Sequence, residues 1–167
     1  MTSTPRSAAE TFAPNLFRNR TVLVTGGGRG IGRSTALGFA ELGASVAIAA
    51  RDKDNLERTL NDLNDLGVPC TSFVADIRNT ESVEALREHV IDTFGRLDFL
   101  VNNAGGQFPA RPSQISDRGF RAVVDLNLHG TWNMLSRFVP DLIASGDGSV
   151  VNIVHNQVGE QIGRAHV

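Results

Sequence analysis

Residues 21–34 read TVLVTGGGRGIGRS, an apolar β-branched run that stops at five glycines with one arginine among them. A short apolar run bounded in this way reads as a buried strand. Beyond the glycines, Ile31, Leu37, Phe39, Ala40 and Leu42 recur at helical spacing and end at Gly43. A glycine turn between a strand and a helix meets three demands at once. The chain reverses sharply, its backbone can approach a ligand with no Cβ in the way, and the helix starts close to the sheet. The free N–H groups and positive dipole end of such a helix suit an anion. In this setting the glycines make room for the diphosphate of a dinucleotide.

The same alternation continues along the chain. SVAIAA (45–50), CTSFVA (70–75), LDFLVN (97–102) and SVVNIV (149–154) read as four further strands. Between them Leu56, Leu60, Leu63 and Leu66 mark one helix, closed by Gly67. Val83, Leu86, Val90, Ile91 and Phe94 mark another, closed by Gly95. A long helix is expected from Ser116 to about Ser145. Strands alternating with helices predict an α/β fold: a doubly wound, Rossmann-type parallel sheet of about five strands with helices on both faces. Fold analogy gives the order 3-2-1-4-5. Residues 1–17 read as a loose polar leader anchored at Phe12, Leu16 and Phe17, and residues 18–161 as one incomplete dinucleotide-binding domain.

Composition narrows the functional classes. The chain has 167 residues, 41% hydrophobic and 20% charged, with a net charge of −2, which suits one globular domain and argues against a bulk nucleic-acid or membrane-surface binder. Cys70 is the single cysteine, so no internal disulfide forms, and a reducing, cytoplasmic location is the expectation. His89 reads as a surface helix residue, and Trp132 and Met134 as helix packing. No histidine has metal-ligand spacing with the cysteine, so no metal site is expected.

The end of the second strand bears on which dinucleotide fits. Sites for NAD place an acidic side chain there, against the ribose hydroxyls. Here the strand ends Ala49-Ala50-Arg51, and Arg29 adds a second cation within the glycine turn. Two arginines suit a 2′-phosphate, which favours NADP, while Asp52 and Asp54 close by leave NAD open.

Four motifs in order and spacing resemble the short-chain dehydrogenase/reductase family over about Phe17 to Val154. They are Thr25-Gly26…Gly30-Ile31-Gly32, Asp76-Ile77 after the third strand, Asn102-Asn103-Ala104-Gly105, and Asn127…Gly130 in the long helix. The resemblance implies an NADP-dependent oxidoreductase with a small-molecule substrate, paired into a homodimer or homotetramer partly through the long helix. It implies that Thr25, Gly26, Arg29, Gly30, Ile31, Gly32, Arg51, Asp76, Ile77, Asn103, Ala104 and Gly105 hold the cofactor. Asp76 would accept from the adenine amino group, and Asn103 would brace the adjoining strand. Asn127 would bend its helix and hold a water in the proton relay. The stretch VNNAGGQFPA (101–110) is similar to the branch of trans-2-enoyl-CoA and 2,4-dienoyl-CoA reductases, pointing to an enoyl thioester such as an acyl-CoA; a 3-ketoacyl reductase is the alternative.

Two departures accompany the resemblance. His155 stands where the family has its serine, and the chain contains no tyrosine and one lysine, Lys53, so the family's Tyr-x-x-x-Lys pair is missing. A non-catalytic dinucleotide-binding module is therefore a competing reading. Residues 162–167 (IGRAHV) match the translation of a common sequencing adapter and are expected to be a non-native tail on a truncated, inert and poorly soluble fragment.

Overall fold

The computed structural model describes residues 7–107 and 110–154. His155, Phe108 and the expected tail at 162–167 lie outside the described residues.

Five strands form one parallel sheet: β1 (Thr21–Thr25), β2 (Ser45–Ala50), β3 (Cys70–Val74), β4 (Phe99–Asn102) and β5 (Ser149–Asn152), in the order β3-β2-β1-β4-β5. The helices are α1 (Ala8–Thr11), α2 (Gly30–Glu41), α3 (Lys53–Asp65), α4 (Thr80–Phe94), α5 (Asp117–Val124) and α6 (Gly130–Ala144). Side chains alternate across β1, as a strand dictates. Val22 and Val24 join Ala36, Ala40, Leu56 and Leu63 in the core beneath α2 and α3. Leu23 points to the opposite face and joins Val83, Leu86, Met134 and Phe138 beneath α4 and α6. All five residues of β1 are buried, because the strand is central and covered on both faces. The edge strand β5 is exposed along its length.

Of the three expected apolar anchors of the leader, Phe17 takes that role. Its ring stacks on Phe39 with 4.7 Å between centroids and meets Phe99 edge-on at 5.2 Å. Phe12 and Leu16, expected to share that role, are 55% and 50% exposed.

Two further expectations change. His89 is half-buried, with Nε2 2.8 Å from the Thr71 hydroxyl and its ring against Phe73, because α4 packs over β3. Trp132 is 65% exposed while its neighbour Met134 is fully buried, because only one of the two faces the sheet.

The long helix is interrupted by a π turn, Asp125–His129, between α5 and α6. The Asn127 side-chain amide donates to the Val123 carbonyl at 2.8 Å, and the Gly130 N–H reaches back five residues to the Asp125 carbonyl. A side chain that takes a carbonyl out of the α-helical ladder is a recognised cause of such a bulge.

At the amino-terminal end of the sheet, Asp98 is fully buried. Its carboxylate accepts from Arg20 at 2.8 Å, from Arg96 at 2.8 and 2.5 Å, and from the Thr21 amide at 2.9 Å. Burial by itself would raise the Asp98 pKa. The hydrogen bonds from Arg96, Arg20 and Thr21 outweigh that and hold it below the usual carboxylate range.

Candidate functional site

The carboxyl ends of β1, β2, β3 and β4 open into a cleft of about 730 Å³, within the size range of small-molecule sites. Open α/β sheets place ligands at this crevice. The glycine turn and the first turn of α2 form one wall, through Gly26, Gly28, Arg29, Gly30 and Ile31. Arg51 stands at the end of β2, Asp76 and Ile77 after β3, and Asn103, Ala104 and Gly105 after β4.

Thr25 and Gly32 stand behind this wall and fix its shape. The buried Thr25 hydroxyl accepts from the backbone N–H of Asn103 and of Ala104, each at 3.0 Å, and donates to the Val101 carbonyl at 3.3 Å. The Asn103 side-chain amide returns to the Thr25 carbonyl at 2.9 Å, which is the strand brace expected of it. Gly26 adopts a φ of +66°, where glycine avoids the strain of other residues. A Cβ on Gly32 would overlap the Gly26 carbonyl and come 2.5 Å from Asn103 Nδ2. The turn and the β4 loop are therefore one stitched unit. Thr25→Val keeps the shape but strands two N–H groups. We expect a loss of about 2 kcal/mol, read from urea unfolding; an unchanged midpoint would show that water reaches these amides.

The predicted cations stand ready for an anion. Among the described residues neither Arg29 nor Arg51 has an ion-pair partner. Asp52, adjacent to Arg51, is occupied as the N-cap of α3, accepting from the Asn55 amide at 3.0 Å. Asp76 is not the free acceptor pictured from its position. Arg78 grips its carboxylate with a fork, Nε to Oδ1 at 2.9 Å and Nη2 to Oδ2 at 2.5 Å. The Arg78 hydrogen bond holds the Asp76 carboxyl below its ordinary pKa against the opposing effect of partial burial, so it stays ionised at neutral pH. Asn127 lies outside the cleft lining and binds its rim. It donates to the Gly106 carbonyl at 2.8 Å and accepts from the Gly106 N–H at 3.1 Å. Asn55 and Leu126 also line the cleft. Sequence reasoning missed both, since each read as an ordinary helix residue.

The cradle therefore fits a dinucleotide: a glycine turn that tolerates no side chain at Gly26 or Gly32, a helix N-terminus, and two arginines without ion-pair partners among the described residues. The comparisons agree. A family profile described as short chain dehydrogenase matches residues 20–164, and the chain belongs to that family. It is 37% identical over 150 residues to the peroxisomal 2,4-dienoyl-CoA reductase of Arabidopsis thaliana, covering 85% of this chain and 50% of that protein. Among solved structures, the citronellol catabolism dehydrogenase of Pseudomonas aeruginosa PAO1 superposes with a TM-score of 0.83 at 35% identity, over 93% of this chain and 64% of that one. A short chain dehydrogenase/reductase from Burkholderia phymatum, solved in complex with NAD, gives 0.78 at 28% identity, over 81% and 49%. The chain spans about half the length of the curated relatives it matches.

Proposed function

We propose that this chain is the cofactor-binding part of an NADP-dependent reductase whose substrate is an enoyl thioester or a keto or hydroxy compound. The observation that carries the cofactor choice is the end of β2. Ala50 stands where NAD sites carry an acid, and Arg51, without an ion-pair partner among the described residues, lines the same cleft as Arg29. Bound there, the nicotinamide cofactor supplies hydride. The amides of Gly30 and Ile31 at the start of α2 receive the diphosphate. Arg29 and Arg51 hold the 2′-phosphate, Asp76 faces the adenine, and Ala104 and Gly105 leave room for a ribose. Asn127 fixes the Gly106 loop, and through it the part of the cleft nearest the reacting atoms.

The acyl-CoA reading rests on the GGQFPA stretch and on the likeness to the dienoyl-CoA reductase. We place the protein in the cytoplasm, in keeping with the absence, among the described residues, of a helix long and apolar enough to cross a membrane. Phe120, Leu128 and Trp132, each more than 60% exposed on the long helix, supply an apolar face for a second copy in a homodimer or homotetramer.

Calorimetric titration with NADPH and NADH tests the cofactor reading. NADPH is expected to bind more tightly, and Arg51→Ala to weaken it by about tenfold through loss of a charge-assisted contact while leaving NADH unaffected. Equal or tighter NADH binding by the wild-type chain overturns the choice of NADP.

A further inference from the structure

We propose that Asn133, a residue of α6 outside the cleft lining, is a positioning residue for the adenine-end wall, acting through the carbonyls of Ile77 and Arg78. The proposal rests on the dinucleotide reading of the cleft. The Asn133 side-chain amide donates to the Ile77 carbonyl at 3.0 Å and to the Arg78 carbonyl at 3.4 Å. These carbonyls belong to the loop that carries Asp76 and Ile77 into the cleft.

That loop is fastened from two sides. On the α4 side, Ser82 Oγ accepts from the Asp76 N–H at 3.1 Å. On the α6 side, the buried Ile77 side chain lies so close to Gly130 that a Cβ there would sit 2.7 Å from Ile77 Cδ1. Asn133 completes the α6 side by holding the carbonyls. Six residues back along the same helix, Asn127 holds Gly106 after β4. The helix thus grips the loops on both sides of the cleft, and the distance between Asp76 and Gly105 depends on its grip.

Positioning and stability are separable here. Helix α6 is docked by Met134, Phe138 and Leu142, all buried, so its attachment does not require the Asn133 amide. Losing the amide frees two carbonyls of a half-exposed loop, where water can replace a donor at small net cost. The consequence falls on where Asp76 and Ile77 stand.

The test compares Asn133→Asp, which keeps the shape but faces two carbonyl oxygens with a third acceptor, with Asn133→Gln, which restores the donor. Three quantities are read: affinity for NADPH and for adenosine 2′,5′-bisphosphate, amide exchange over residues 76–79, and the unliganded thermal midpoint. Asn133→Asp is expected to weaken both ligands by about tenfold, the worth of one to two net hydrogen bonds. Exchange should rise over 76–79 with the midpoint little changed, and Asn133→Gln should recover part of the affinity. Unchanged affinity in folded Asn133→Asp overturns the proposal. So does a failure to fold that Asn133→Ser shares, since the residue then serves stability. If Asn133→Ser does fold, unchanged affinity in it overturns the proposal in the same way. A wild-type chain that binds neither ligand overturns the dinucleotide reading and the affinity claim together, and the exchange measurement still decides whether Asn133 holds the loop.

Discussion

Gly32→Val is expected to unfold the domain or cost at least about 3 kcal/mol, the upper part of the range for overpacking, because the added atoms have nowhere to go. Its Cβ would overlap the Gly26 carbonyl and press on Asn103 Nδ2, both held by the hydrogen bonds that join β1 to the β4 loop. Neither obstacle is the end of a flexible side chain. Gly30→Val gives the contrast. Gly30 has a φ of +54° and nothing within 4 Å of the position a Cβ would take. The cost there is backbone strain of about 1–2 kcal/mol, and the new side chain projects into the space the diphosphate needs. In the sequence the two glycines belong to one motif, Thr25-Gly26…Gly30-Ile31-Gly32. The structure separates them: Gly30→Val is expected to fold and lose the nucleotide, whereas Gly32→Val is expected to lose both. Urea unfolding of the two variants checks this, and a wild-type midpoint for Gly32→Val would defeat the packing account.

Asp98→Ala is expected to cost about 3 kcal/mol, the lower end of the range for breaking a buried ion pair. The lower end applies because Arg20 and Arg96 are partly exposed and regain water, while the buried Thr21 amide loses its acceptor. The same group makes stability depend on acidity. Its folded pKa lies below the unfolded value of about 3.9, so its contribution is present above that value and is lost as pH falls through the folded pKa. Wild-type stability should therefore decline below about pH 4 more steeply than that of Asp98→Asn. Parallel acid profiles for the two proteins would show that Asp98 contributes no such dependence.

The parts of this molecule that were legible in its sequence are those governed by local pattern. The run TVLVT, its glycine turn and the helix after it announce one βα unit, and four repeats of the alternation lead to the sheet that is found. Most of the cleft-lining residues follow, since the carboxyl ends of parallel strands meet at one crevice. What pattern does not carry is the identity of a partner far along the chain. Arg20 and Asp98 are 78 residues apart and look like unrelated surface charges until β1 and β4 pair. Asp76 and Arg78 are near neighbours, yet the position reads as a free acceptor because spacing does not say whether a side chain folds back. Asn133 offers a faint signal. Like Asn127 it is a poor helix former inside a helix, and two such residues six apart stand on different faces, as holding two separate loops requires.

The π turn makes the long helix a spacer of fixed count. It holds one residue more than an α-helical turn between the same endpoints would need. A residue added between Asn127 and Asn133 without a second such bulge would instead turn the two by about 100° relative to each other. Gly130 and Asn133 would then swing away from Ile77, or Asn127 from Gly106, and one helix could no longer hold both loops. Substitution and length change are therefore unequal insults at this place: many side chains can be exchanged along the helix, but its arithmetic cannot.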